Sequence, residues 1–233
     1  MANRVAALLL ADRLRPQRPL GLATGRTMAP VYACLAQQLG QLEPPQAARV
    51  RDSWCSFNLD EYVGLAPGDP ASFAATMARQ LVGPLGLAPA QVRLPDGQAA
   101  DPDAEARRYG AAVAAAGGIG LQLLGLGLNG HVGFNEPPSD PAVACRCVTL
   151  SGHTRRQNAG GFGGDCDAVP EQAITLGLAE ILSARRVLLV VTGAEKAAIL
   201  RRALEEPPTA DLPASWLQHH PALTVIADAD AMG

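Results

Sequence analysis

The sequence predicts a doubly wound α/β fold: a mostly parallel sheet with helices on both faces, Rossmann-like in layout. Five short apolar runs recur along the chain, and the stretches between them carry apolar residues at helical spacing. Such alternation builds crossover connections onto a parallel sheet. The third observation is positional. The segments richest in glycine and titratable residues follow the carboxyl ends of the runs, where ligands sit in open α/β sheets.

Val5–Ala11 is a brief apolar stretch interrupted by Asp12, Arg13 and Arg15. No small-residue cleavage site follows, so it reads as an amphipathic first helix and not a signal peptide. Leu20–Ala23 is the first strand, and Val31, Leu35 and Leu39 share one face of the helix after it. Ser56–Leu59 is the second strand, followed by Phe73, Met77 and Leu81 on one helical face and then by Tyr109 and Val113. Leu121–Leu124 is the third. Ile174, Leu178 and Ile181 read as one helical face, Val187–Val191 as the fourth strand, Ile199 with Ala203 as another helix, and Leu223–Ala227 as the last strand. Proline and glycine cluster at 83–97 and 160–164. The second cluster lies in a polar stretch, about 139–169, that fits a mobile flap or an inert surface loop equally well. No internal repeat is present.

With 233 residues, 48% of them hydrophobic and 18% charged, the chain suits one domain spanning 1–233 with a large core. A net charge of −3 without a basic run argues against nucleic-acid binding and requires any anionic ligand to be held locally. Five cysteines lack zinc-ligand spacing, and Cys145 and Cys147 sit too close for a comfortable disulfide. Reduced thiols in a cytoplasm are the expectation, with no membrane partner. The histidines at 131, 153, 219 and 220 show no ligand spacing, so no metal is expected.

Gly125-Leu-Gly-Leu-Asn-Gly-His-Val-Gly-Phe-Asn-Glu136 opens from the third strand as a glycine-rich loop. Gly125, Gly127, Gly130 and Gly133 suit sharp turns or close approach to a ligand. The loop delivers His131, a candidate general base, with Glu136 to orient it. After the first strand, Thr24, Gly25, Arg26 and Thr27 enter a helix. They fit a phosphate cradle, or an ordinary turn with Thr27 as the N-cap. After the second, Asp60 and Glu61 point to opposite faces, so one of them enters a given pocket as a base; solvated acids are the bland alternative. Lys196 follows the fourth strand as a second cation for phosphate or a solvated lysine. His219 and His220 reach a pocket or cap a helix. No serine carries the glycine pattern of a nucleophile elbow.

These residues, in order over nearly the whole chain, resemble the glucosamine-6-phosphate deaminase (isomerising) family, within a superfamily that also holds 6-phosphogluconolactonase. Asp60-Glu-Tyr-Val-Gly-Leu65 and Gly130-His-Val-Gly-Phe-Asn-Glu-Pro137 carry the resemblance most specifically. It is joined by Gly21–Gly25, Thr149–Asn158, Val169–Gly177, Thr192–Lys196 and Leu217–Pro221. The resemblance implies conversion of glucosamine 6-phosphate to fructose 6-phosphate and ammonia, with no metal or organic cofactor. By motif, Asp60 moves a proton between C2 and C1, His131 assists ring opening and Glu136 supports it. Thr24, Gly25, Thr27 and Lys196 fall at phosphate-binding positions. Galactosamine 6-phosphate is the alternative substrate, and lactone hydrolysis or a sugar-phosphate sensor are more distant readings.

Two departures stand out against the resemblance. Asn129 occupies a place where some members have aspartate, which would leave Glu136 as the only anionic partner of His131. Gly160 replaces an arginine that the family commonly uses for phosphate; Arg26 is the expected substitute, with Arg155 and Arg156 as other donors. The chain ends at Gly233 without the extension of hexameric members, which leads to the expectation of a monomer or small homo-oligomer without allosteric activation.

Overall fold

The computed structural model describes residues 1–233. Six strands form a parallel sheet: β1 (Leu20–Leu22), β2 (Ser56–Asn58), β4 (Val92–Arg93), β5 (Leu121–Leu124), β8 (Arg186–Val191) and β9 (Leu223–Ala227). Their order across the sheet is β4-β2-β1-β5-β8-β9. All five expected strands are present. β1 and Val187–Val191 of β8 read as continuous apolar runs, and β5 is broken only by the buried Gln122, because a parallel sheet flanked by helices is buried on both faces.

A second, antiparallel sheet was not foreseen. It joins β3 (Asp60–Tyr62), β7 (Gln172–Thr175) and β6 (Arg146–Thr149) in the order β3-β7-β6. Its existence corrects one expectation: Ile174 is not on a helical face but in β7, paired with Glu61 on one side and Cys147 on the other. Leu178 and Ile181 alone belong to the helix that follows. The polar stretch at 139–169 likewise contains β6, a helix and a 3₁₀ turn.

The flanking helices are α1 (Ala2–Arg13), α2 (Ala29–Gly40), α3 (Pro44–Asp52), α4 (Phe73–Met77), α5 (Gly83–Leu85), α6 (Pro102–Ala115), α7 (Gly152–Asn158), α8 (Leu178–Leu182), α9 (Ala197–Glu205) and α10 (Ala229–Met232). A π-helical turn, Ala78–Val82, links α4 to α5. Helix α2 illustrates the local logic. Pro30 in its first turn needs no amide partner there, and Val31, Tyr32, Leu35 and Leu39 form a buried stripe. Each such side chain contributes roughly 2 kcal/mol by leaving water. Helix α6 starts at Asp101, whose Oδ1 accepts the Ala104 amide at 2.9 Å.

Fifty buried residues form the main core around the parallel sheet. A separate cluster of Tyr62, Phe134, Leu150, Ala159, Val169 and Ala173 lies under the antiparallel sheet. Phe162, from the glycine-rich segment, packs edge-on against Tyr62 at 5.5 Å.

Candidate active site

Strand β1 leads on to β2 and β4, whereas β5, its other neighbour, leads to β8 and β9. The sheet therefore reverses direction between β1 and β5, and the loops leaving their carboxyl ends border the crevice where open α/β sheets bind ligands. Those loops hold Thr24–Thr27 and Gly125–Glu136.

Asp60 enters from β2 by way of Leu59. The Leu59 amide donates to Leu22 O at 2.9 Å, and its carbonyl accepts Leu176 N at 2.7 Å, so this residue carries the chain from one sheet to the other. Asp60 and Glu61 then face opposite ways on β3. Glu61 is committed to structure: Oε1 accepts Tyr62 N at 2.8 Å and Phe73 N at 3.0 Å, and Oε2 accepts Ala74 N at 2.7 Å, closing the first turn of α4. Asp60 has no such partners and is only 6% exposed. Burial, and then the neighbouring Glu61 charge, push its carboxyl up to about 8. Gly133 has φ 59°, and a Cβ there would lie 3.0 Å from Thr175 Oγ1 and 3.6 Å from Asp60 Oδ2. The loop that carries His131 thus lies against the Asp60 carboxylate.

The His131 ring lies directly over the backbone of Gly127, where a Cβ would come within 2.3 Å of the ring. The close approach at Gly127 is therefore made by His131 itself and not by a ligand. His131 Nδ1 lies 2.6 Å from Asn129 Oδ1, and Asn129 Nδ2 donates to Glu136 Oε1 at 3.4 Å. Glu136 does not orient the imidazole directly; Asn129 stands between them. Glu136 is in turn gripped by Ser151, whose amide and hydroxyl donate at 2.8 and 2.6 Å, and by the Thr154 hydroxyl. Burial alone would raise its carboxyl, but these hydrogen bonds prevail and hold it below the usual carboxylate range.

That ionised carboxylate can only accept, so the Asn129 amide nitrogen must face it and the oxygen must face His131. Nδ1 then carries the proton, and Nε2 presents a bare lone pair. Burial drives the His131 pKa down to about 4; Glu136 opposes this, while Lys196 and His153 add to it. At neutral pH the ring is an uncharged base.

Thr24, Gly25, Arg26 and Thr27 donate no backbone hydrogen bond within the chain. Thr27 is not the N-cap of α2, a place taken by Met28 without a side-chain bond. Its Oγ1 instead meets Thr192 Oγ1 at 2.9 Å, tying the loop after β1 to the loop after β8. Lys196 lies in that second loop, half-buried. Burial lowers its pKa, the Glu195 charge raises it, and the Arg26 charge lowers it again, so Arg26 and Lys196 stand within electrostatic reach of each other. Arg155, in contrast, donates to Val169 O at 3.1 Å and Asp167 O at 3.2 Å and is held as a structural strut. Gly160 faces open space.

The sequence of residues 1–226 matches the family model described as glucosamine-6-phosphate isomerases/6-phosphogluconolactonase. The chain belongs to this family. A glucosamine-6-phosphate deaminase of Arthrobacter sp. (strain FB24) is 45% identical over 227 residues, covering 97% of this chain and 84% of that one. The solved structure of a monomeric glucosamine-6-phosphate deaminase superposes with a TM-score of 0.91 at 36% identity, covering 99% of this chain and 94% of the other. The 6-phosphogluconolactonase of Trypanosoma brucei, at TM-score 0.73 and 20% identity over 99% of this chain and 94% of that one, shares the fold.

Several residues of the family loops escaped the sequence reading. Asn135 is fully buried and locks its loop, with Nδ2 donating to Val132 O and Leu176 O, both at 2.9 Å, and Oδ1 accepting Arg146 Nη1 at 2.8 Å. Ser151 and Thr154 hold Glu136 from α7. Lys196, which the sequence reading did name, is the only lysine among the chain's 19 basic residues, all others being arginine. Its compact ammonium, with three rotatable donors, presents hydrogen bonds differently from a planar guanidinium. His220 proves structural, with Nε2 on Ala184 O at 2.8 Å and Nδ1 accepting Ala222 N at 3.1 Å.

Proposed function

We propose that this chain converts glucosamine 6-phosphate and water to fructose 6-phosphate and ammonia. The observation that carries the reading is full-length similarity to deaminases, at 45% identity in sequence and TM-score 0.91 in structure, against 20% and 0.73 for a lactonase. The arrangement of side chains supports it chemically. Ring opening needs a proton taken from the C1 hydroxyl and one given to the ring oxygen, and a neutral imidazole with a bare Nε2 suits both transfers. The opened sugar has an aldehyde at C1, which makes the proton on C2 acidic. Asp60, buried without hydrogen-bond donors, is the base that takes this proton and returns it to C1. The product is an imine at C2; water adds there and ammonia leaves.

In this reading Thr24, Gly25, Thr27, Arg26 and Lys196 fix the phosphate, which orients the flexible open chain. The reaction draws on loops from across residues 1–233, which act as one catalytic unit in a cytoplasm that keeps its five thiols reduced. The segment at about 139–169 closes over the sugar as a flap hinged on its glycines. The protein is a monomer or small homo-oligomer, and a gel-filtration mass near that of a hexamer would overturn this. No helix is long and apolar enough to cross a membrane.

The direct test measures ammonia and fructose 6-phosphate from glucosamine 6-phosphate, with galactosamine 6-phosphate in parallel. Hydrolysis of 6-phosphogluconolactone without any ammonia release would reject the proposal. Two variants probe the parts. Arg26→Ala should raise KM about ten-fold with little change in kcat, as expected for loss of one charge-assisted contact to phosphate; an unchanged KM means that Arg26 does not stand in at Gly160. Gly127→Ala should push the His131 ring off its seat and lower kcat about 100-fold. The three atoms nearest that Cβ all belong to this ring; unchanged kcat would show the ring position to be unimportant.

A further inference from the structure

A charged cavity lies at the other end of the parallel strands from the candidate active site, where β5 and β8 begin. Its volume is about 310 Å³, and it is walled by the end of α1, the segment that follows it, Gly120 and the start of β8. Arg15, Arg18, Arg185 and Arg186 line it, and Asp12 is its only acid. Both Asp12 oxygens are already engaged: Oδ2 accepts the buried Arg13 guanidinium at 2.5 Å, and Oδ1 accepts Arg186. Arg185 is held only by the neutral Gln17, Nη1 to Oε1 at 2.6 Å. Arg15, Arg18 and Arg185 have no carboxylate partner.

A cation at the end of a helix commonly answers the negative end of the helix dipole, and Arg13, in the last turn of α1, does this. Arg15, Arg18 and Arg185 lie beyond that helix, and a chain of net charge −3 has enough acids to pair them. Gathering them unpaired around one cavity costs repulsion that a bound counter-anion removes. Gly120 lets the segment carrying Arg18 pack close to the start of β5: a Cβ there would lie 3.1 Å from Arg18 Cβ and 3.4 Å from the Arg18 and Pro19 carbonyl oxygens. Only two of the nine lining residues are hydrophobic and none is aromatic, so the lining is suited to charge and not to an aromatic stacking platform. We propose that this cavity binds a compact polyanion bearing two phosphate-type groups, at a site separate from the sugar-phosphate cradle.

The test is calorimetric titration of inorganic pyrophosphate into the full chain at about 0.15 M KCl, where diffuse charge effects are largely screened. Saturable binding is expected in the parent and in Lys196→Met. The double variant Arg18→Gln/Arg185→Gln should weaken it at least about ten-fold. Arg15→Gln, whose parent side chain makes no hydrogen bond, should weaken it as well and keeps the test alive if the double variant folds poorly. Absence of binding to the parent, or a loss confined to Lys196→Met, would overturn the proposal, the second by placing pyrophosphate in the cradle.

Discussion

Asp60→Asn is expected to lower kcat by about 10³-fold or more, because the amide cannot take the C2 proton, and at the same time to stabilise the fold. The carboxyl is held at about 8 in the folded chain, well above its value in an unfolded one. Its ionised form is therefore favoured by unfolding. The sign follows: with a raised folded pKa, nothing is lost below about pH 4, and stability falls as pH rises from there to about 8, then levels. At pH 7 the cost is on the order of 4 kcal/mol. The uncharged amide removes it, so the melting temperature should rise by several degrees, with the gain growing from pH 5 to 8. The same titration predicts that kcat/KM of the parent climbs with pH until about 8. Glu61→Gln is the control of opposite sign, since that carboxylate accepts three amides and its loss should destabilise the chain. Equal melting curves for Asp60→Asn and the parent across this range would show that Asp60 is not the buried, unsupported acid described here.

What could be read from sequence was decided by how much of each element is buried. β8 declared itself through the unbroken apolar run Val187–Val191, and β5 through three leucines broken only by the buried Gln122. β6, Arg146–Thr149, lies at the sheet edge and is half-exposed, so its polar residues mimic a loop. β7 was hidden differently, because Ile174 happens to stand at helical spacing from Leu178 and Ile181. Only its pairing with Glu61 and Cys147 fixes it as a strand. At the candidate site, the choice between Asp60 and Glu61 could not be made from two adjacent acids. It needed the amides of Tyr62, Phe73 and Ala74, the last two of which come from another element. Asn129 was legible as a departure from relatives, but its place between His131 and Glu136 depends on α7 bringing Ser151 and Thr154 to the carboxylate. Tertiary partners of that kind leave no periodicity to read.

His131→Gln should lower kcat about 10² to 10³-fold, less than Asp60→Asn. The ordering is chemical. A pyranose opens slowly in water without help, so a site lacking the imidazole can still capture the open sugar, whereas the C2 proton has no comparable route off. A residual rate for His131→Gln below that of Asp60→Asn would remove ring opening as the role of His131. Asn129→Asp probes how the ring is held. It places an anion against Nδ1, so the imidazolium is favoured and the His131 pKa should climb from about 4 toward neutrality. The ring would then be charged, with Nε2 protonated and no longer a base, at pH values where the parent ring is neutral. Turnover of Asn129→Asp should consequently fall more at pH 6 than at pH 9, and an NMR titration of the imidazole should report the shifted midpoint directly. If the midpoint stays where it was, Asn129 does not set the charge of this ring, and the relay from Glu136 through the amide to Nδ1 is not what keeps His131 ready to accept a proton.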